Sequence, residues 1–412
     1  MKHILFKSMM VLLWLYSFDS RGQTSVQNAQ TKYIDLSINA LLSVGGSSLD
    51  DESLSFLQAG GHDPKRSGFN LQSVEVSLTG AVDHYFTAET HILFGLSKEG
   101  ESFLELEEAF FKTLSMPGGL ELKGGQFLTQ IGRSNPYHVH AWNWQDQPII
   151  NSRVLGADGM RGLGAQLAWL LPVSWYSQVY FSAQNATGAT MISFAGAQES
   201  AVGSQDLVDR DVNGLTELVF ALRWVNGWDF SETTASRLGF SLLTGPNSAG
   251  ANTFTQVYGV DYVLKWVPLN AKRGWPFLTW ESEFLLRNYH VDPGLNQSNL
   301  GMIDSTILNF GGTLSDWGYY SQVLYGFRPR WAAGVRFEYA SGSESSVGFR
   351  DFDPFRDNRI RVSPMLAFYP SEFSRVRLQY NYDQATHLEE MYAHSLWLGI
   401  EFLFGAHPAH DF

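Results

Sequence analysis

Cysteine is absent from the 412-residue chain. Neither a disulfide framework nor a thiolate metal site is therefore open to it. Basic residues are scarce: 28 Lys and Arg stand against 41 Asp and Glu, leaving a net charge of -13. That balance excludes a nucleic-acid partner, which requires a basic footprint. Long apolar runs are missing too. The most apolar stretch, Met9 to Phe18, falls short of the roughly 20 residues of a membrane-crossing helix. Lys2, His3 and Lys7 precede it, and Ser20-Arg21-Gly22 follows with small residues where a signal peptidase reads. Residues 1–22 thus read as a signal peptide, with a mature chain of 23–412.

Aromatic residues are abundant at 14%, and glycines number 39. In an exported chain without cysteine, this composition points to an outer-membrane barrel. Period-two alternation recurs almost everywhere past residue 33. In the terminal HSLWLGIEFLF, Leu396, Leu398, Ile400, Phe402 and Phe404 share one side, opposite Ser395, Trp397, Gly399 and Glu401.

Strands are predicted at 33–42, 69–82, 86–97, 103–114, 120–129, 161–170, 174–186 and 214–225. Eight more are predicted at 236–244, 253–267, 277–289, 312–324, 330–340, 358–369, 373–383 and 393–404. Most reach the ~9–11 residues needed to cross the hydrocarbon at a tilt. Short connections alternate with long ones at 43–68, 130–160, 187–213, 290–311 and 341–357. Two turns, near 226–235 and 268–276, are longer than the other short ones. The predicted fold is all-β: a 16-stranded antiparallel transmembrane barrel with short periplasmic turns and long extracellular loops. Pro364 intrudes on one predicted strand, where proline marks a ladder defect. Aromatics beside the turns suit a girdle at the lipid interface: Tyr85, Phe86, Trp175, Tyr176, Trp224, Trp228, Trp317, Tyr319, Tyr320, Trp331, Phe368 and Tyr369. Ordinary strand-core packing is the alternative.

In such a barrel the polar face of each strand points inward. Expected lumen residues include Asp35, Ser37, Asn39, Glu75, Thr79, Glu89, His91, Glu105, Glu107, Glu121 and Lys123. Further along come Glu217, Arg223, Arg237, Asp261, Lys265, Glu281, Glu283, Arg287, Arg336, Glu338 and Glu401. Arg359, Arg361, Arg375 and Arg377 form the sharpest basic group, on two neighbouring strands. They form either an anion ladder or a set paired with lumen acids such as Glu338 and Glu401. Loop 130–160 contains IGRSNPYHVHAWNWQDQP, in which Arg133, His138, His140, Asp146 and (further on) Arg153 could line a constriction. His138 and His140 with Asp146 also offer metal ligands, as do His407 and His410 near the C-terminus; packing or surface roles are the plainer reading.

Enzyme signatures are missing. No GxSxG elbow occurs, and GGSSLDDES (45–53) lacks the context and ending of a phosphate loop. Glu105, Glu107 and Glu108 sit in a wall strand without a cleft. No catalytic activity and no cofactor are expected.

Three stretches carry a family resemblance: HDPKRSGFNLQSVEVSLTGAVDHYF (62–86), LELEEAFFKTLSMPGGLELKGGQFLTQIGRSNPYHVHAW (104–142) and the terminal GIEFLFGAHPAHDF. On these, the chain resembles the outer-membrane porin superfamily, in particular a branch related to phosphate-selective porins. Glu107, Glu108, Gly124, Gly125, Arg133, Asn135, Pro136, His138 and His140 match the shared block. The resemblance implies a passive channel in the outer membrane of a Gram-negative bacterium. It would sit among lipid and lipopolysaccharide as a homotrimer or other oligomer and pass small hydrophilic solutes. Some relatives carry zinc-regulated or receptor-like labels, so a receptor or binding barrel linked to metal acquisition is the alternative. Phosphate-selective relatives are expected to use many channel lysines; this lysine-poor, acidic chain departs from them there.

Overall fold

The structure, a computed structural model, describes residues 34–58, 60–97, 100–196, 210, 214–292, 312–342, 356–388 and 390–405. The expected signal peptide and the terminal His407 and His410 lie outside the described residues. The first four strands are β1 (Ile34–Ser47), β2 (Gly68–Ala81), β3 (Phe86–Leu96) and β4 (Ser102–Thr113). There follow β5 (Leu120–Leu128), β6 (Arg161–Leu170), β7 (Tyr176–Asn185) and β8 (Leu218–Ser231). The second half holds β9 (Thr234–Pro246), β10 (Phe254–Trp266), β11 (Phe277–Val291) and β12 (Gly312–Arg328). It ends with β13 (Trp331–Gly342), β14 (Arg359–Ser371), β15 (Ser374–Ala385) and β16 (Tyr392–Gly405). Two short helices sit in loops, α1 (Asp51–Leu57) and α2 (Ile149–Leu155).

Every strand pairs antiparallel with its sequence neighbour, and β1 closes the sheet on β16 from Ser37↔Gly405 to Ser47↔Ser395. The result is a closed sixteen-stranded barrel. Closure removes both sheet edges, so no strand presents an unpaired row of backbone groups to an apolar surrounding. Alternation sorts the side chains as expected. On β16, Leu396, Leu398, Phe402 and Phe404 face outward and are exposed, while Ser395, Trp397 and Glu401 are buried inside. Trp175, Trp228, Phe327 and Phe373 lie exposed near the short turns.

Several details depart from the expected pattern. The connection near 226–235 shrinks to two residues, because β8 runs on through Trp228-Asp229-Phe230 before Thr234 begins β9. β12 likewise continues to Arg328, four residues past its expected end. Glu217 stands in a short 3-10 turn ahead of β8 rather than on a wall strand. Tyr320 is no girdle residue: it alternates with the exposed Tyr319 and faces inward beside Glu283. β14 survives Pro364, which pairs with Val335, but the ladder to β15 skips from Val362↔Tyr382 to Met365↔Gln379. Proline has no amide hydrogen to donate there.

Two glycines allow the interior its close approaches. Gly125 in β5 adopts φ 136, and a β-carbon there would stand 2.3 Å from the Ala109 carbonyl oxygen of β4. Gly132 adopts φ 61, and its β-carbon would lie 1.7 Å from a Glu283 carboxylate oxygen. Any other side chain at residue 132 would push the long loop off the β11 wall.

Candidate functional site

The connection from β5 to β6, residues 129–160, folds into the barrel and crosses to the far wall. Its neck is closed by Asn135, whose amide donates to the Thr129 carbonyl (2.8 Å) and the Met160 carbonyl (3.0 Å). The Met160 amide donates back to Asn135 Oδ1 at 2.7 Å. A buried asparagine with its amide satisfied on both sides fixes where the loop begins and ends.

The near anchor is a histidine–glutamate cluster. His138 donates from Nδ1 to Glu107 (3.0 Å) and from Nε2 to Glu108 (2.8 Å). His140 Nδ1 bonds Glu75 at 2.8 Å, and His91 Nδ1 reaches the other Glu75 oxygen at 3.0 Å. The His91 and His138 rings stack at 4.4 Å. Both nitrogens of His138 can serve as donors only in the imidazolium form. Burial opposes that charge, but Glu75, Glu107 and Glu108 outweigh it and hold His138 well above its ordinary value. A raised histidine stabilises the folded loop fully below its unfolded value near 6.5 and loses that contribution as pH rises through the folded value. The loop is therefore expected to stay docked at neutral pH and to become accessible to protease in alkali. His138→Phe, which strands two carboxylates, should release it already at neutral pH; equal protection of both proteins across this range would refute the assignment.

Glu108 was not expected in the lumen. Strict alternation puts it opposite Glu107, facing lipid. A bulge in β4, where His91 pairs Glu108 and Ile92 pairs Leu106, leaves Glu107 as the extra residue and turns both acids inward. The adjacent acids in LELEEAFF were the available signal, since one of them would otherwise meet hydrocarbon.

The far anchor is the arginine wall of β13–β16. Asp146 accepts from Arg336, from Arg361 (3.0 Å), from Gln379 (2.9 Å) and from Asn381 (2.7 Å). Burial alone would raise its pKa; Arg336 and Arg361 hold it down at about 2. Arg377 donates to three successive loop carbonyls, Trp142 (3.1 Å), Asn143 (3.1 Å) and Trp144 (3.0 Å), and to Glu401 at 3.1 Å. Arg375 binds Glu401 and the His140 carbonyl (3.0 Å), while Arg359 and Arg361 share Asp383 at 3.0 and 2.8 Å. Trp144 Nε1 donates to the Ser363 carbonyl at 2.9 Å, beside the ladder gap at Pro364. Of the two readings of these arginines, the geometry favours pairing: all four are committed to acids or loop carbonyls.

A third contact runs along β11. Arg133 pairs with Glu281 at 3.1 Å, and Glu283 accepts from the Ser134 amide (3.1 Å) and the Asn151 side chain (3.3 Å). Arg153 donates to the carbonyls of Arg356 (3.3 Å) and Asp357 (2.8 Å). Helix α2 buries Ile149, Ile150, Val154 and Leu155 against Met191 and Phe194 and against Leu243, Val257 and Leu285 of the wall. An apolar core thus sits inside the barrel toward the loop end. Asp146 lies on the arginine wall, apart from His138 and His140, so the three do not form one ligand set. Those two histidines instead meet wall acids that the loop sequence could not indicate.

Beneath the crossing loop, toward the short turns, polar cavities remain. One of about 970 Å³ is lined by Lys112, Lys123, Arg223, Arg237, Glu121, Asp229 and Tyr180. A second of about 540 Å³ is lined by Arg133, Lys265, Glu281, Trp142, Trp275 and Tyr369.

No family model matches the sequence. An uncharacterized protein of Aquifex aeolicus (strain VF5) is 28% identical over 376 residues, covering 86% of this chain and 73% of that protein. The outer membrane channel DcaP of Acinetobacter baumannii superposes with TM-score 0.55 at 10% identity, over 90% of this chain and 97% of that one. An anion-selective porin from Comamonas acidovorans gives 0.54 at 8% identity, over 90% and 100%. OmpT, an outer membrane protein of Vibrio cholerae in its trimer form, gives 0.54 at 8% identity, over 91% and 100%. At these identities the likeness is one of architecture: this sixteen-stranded barrel is built like known outer-membrane porins and channels.

Proposed function

We propose that the protein is a passive channel for small hydrophilic solutes in the outer membrane of a Gram-negative bacterium, narrowed by loop 129–160. The observation that carries this reading is the loop itself. It enters the lumen from the β5–β6 side, is bonded to the opposite wall by Asp146 and Arg377, and stands over a polar cavity of about 970 Å³. Solutes would cross a polar lumen whose size limit is set by how firmly the loop is held. No bond is made or broken, so neither catalysis nor a cofactor enters the reading.

Cavity linings of mixed sign, with Lys112, Lys123, Arg223 and Arg237 facing Glu121 and Asp229, favour screening over strong charge preference. The kinship to phosphate-selective porins stays a proposal resting on the 104–142 block, and strong phosphate selectivity is not part of it. A homotrimer among lipid and lipopolysaccharide is proposed on the resemblance and on the trimer form of OmpT. The second reading, a receptor or binding barrel, draws support from the apolar core around α2, which fills lumen that a wide pore would leave to water.

Conductance in planar bilayers separates the two. The channel reading expects small, ohmic single-channel steps that grow several-fold in Arg377→Ala, which frees the three loop carbonyls. Silent bilayers for both proteins would end it.

A further inference from the structure

Loop 48–67, between β1 and β2, carries His62 into the interior, where the residue is only 5% exposed. Its Nδ1 lies 3.2 Å from the Gln72 carbonyl, and the Gln72 side chain donates back to the His62 carbonyl at 2.7 Å. A carbonyl only accepts, so Nδ1 is the donor in that bond, and Nε2 is the ring nitrogen left for a ligand. That nitrogen has no hydrogen-bond partner. It faces carboxylates at distances too long for hydrogen bonds: Asp158 Oδ1 at 3.7 Å and Glu107 Oε1 at 3.9 Å. Glu105 completes a triad with His62 and Asp158 whose ligand atoms all lie within 4.8 Å of one another.

We propose that His62, Glu105 and Asp158 form a binding site for a divalent transition-metal cation of the zinc class. An imidazole fixed through Nδ1 by a backbone carbonyl, its Nε2 aimed at carboxylates, is the second-shell pattern of a metal-ligating histidine. Metal–ligand bonds of about 2.0–2.1 Å place tetrahedral ligand atoms roughly 3.4 Å apart, so the His62–Asp158 pair at 3.7 Å needs to contract by only a few tenths of an ångström, and Glu105 closes in from within 4.8 Å. One nitrogen and carboxylate oxygens suit zinc and its neighbours better than calcium, which prefers oxygen alone. Asp158 is a third exposed and Glu105 about a quarter, which leaves the ion a path from water. Arg161 balances part of the negative charge by pairing with Glu105 and donating to the Asp158 carbonyl at 2.8 Å.

The backbone is arranged to bring these groups together. The Gly61 amide donates to the Ala157 carbonyl at 2.7 Å, and a β-carbon on Gly61 would stand 1.6 Å from Asp158 Oδ1. The neighbouring cluster of Glu75, His91 and His138 also has ligand geometry. There, however, both His138 nitrogens already donate to carboxylates, so protons fill the role of cation. His62, by contrast, has a buried ring nitrogen without a hydrogen-bond partner. A bound ion would stitch loop 48–67 to the β4 wall and to the exit of loop 129–160, independently of whether the barrel conducts.

The test uses the full-length barrel in detergent, stripped with a chelator and titrated calorimetrically with Zn²⁺. One site per chain is expected, weakened at least tenfold by His62→Ala and by Asp158→Asn, and unchanged by His91→Gln in the neighbouring cluster. X-ray absorption of the loaded protein should show one imidazole and oxygen neighbours. Asp158→Asn, at a partly exposed position, covers the case in which His62→Ala fails to fold. Absence of stoichiometric binding in the folded parent, or binding that survives both His62 and Asp158 substitutions, would overturn the assignment.

Discussion

Replacing Asp146 by alanine is expected to cost about 3–5 kcal/mol of stability, the range for removing one member of a buried charge network. Asp146 is 1% exposed and accepts from four side chains on three strands, two of them arginines that are themselves 1–2% exposed. Without it, Arg336 keeps Glu338 and the residue 146 carbonyl and Arg361 keeps Asp383, but both lose the carboxylate that ties the loop side chain to the wall. The loss should appear as a lower urea midpoint for refolded barrel in lipid vesicles. A midpoint shift no larger than that of the exposed Asp83→Ala would mean that the loop is not held as described.

Leu398→Arg is expected to cost about 2–4 kcal/mol, the penalty for a cation on the lipid face near the bilayer midplane. Leu398 faces outward at the centre of β16, flanked by Val44 of β1 and Leu378 of β15. Phe404 faces the same way but lies one residue from the strand end, so Phe404→Arg should cost only about 0–1 kcal/mol. Equilibrium unfolding in vesicles reads both. Equal penalties at the two depths would contradict a membrane around this face.

The wall of the barrel was legible because its signal is local. Period two in HSLWLGIEFLF or FTAETHILF marks a strand whatever its neighbours are, and turn residues mark most ends. Where the ends were missed, as at Trp228-Asp229-Phe230, a polar residue amid aromatics reads equally well as turn or as continued strand. The interior was much less legible. That Asp146 would meet Arg336 and Arg361, 190 and 215 residues away, is decided by barrel closure and leaves no trace in the loop itself. The β4 bulge hid Glu108 because one added residue inverts the alternation used to assign sides. Likewise, α2 is too short for its apolar stripe to distinguish a buried lumen helix from loop. His62 was overlooked altogether, since its role depends on Gln72 and Asp158 rather than on another histidine nearby in sequence.

The far anchors of loop 129–160 also dictate an order of assembly. Gln145 binds Gln379 across 234 residues, Trp144 binds Ser363 across 219, and Arg377 grips Trp144 across 233. None of those partners exists in position until the last three strands have joined, so the loop can settle only as the cylinder completes. Contacts of such long sequence separation form late. A protease-sensitive Trp142–Gln147 segment would therefore report an unfinished barrel, and its protection would mark the moment β14 and β15 come within its reach.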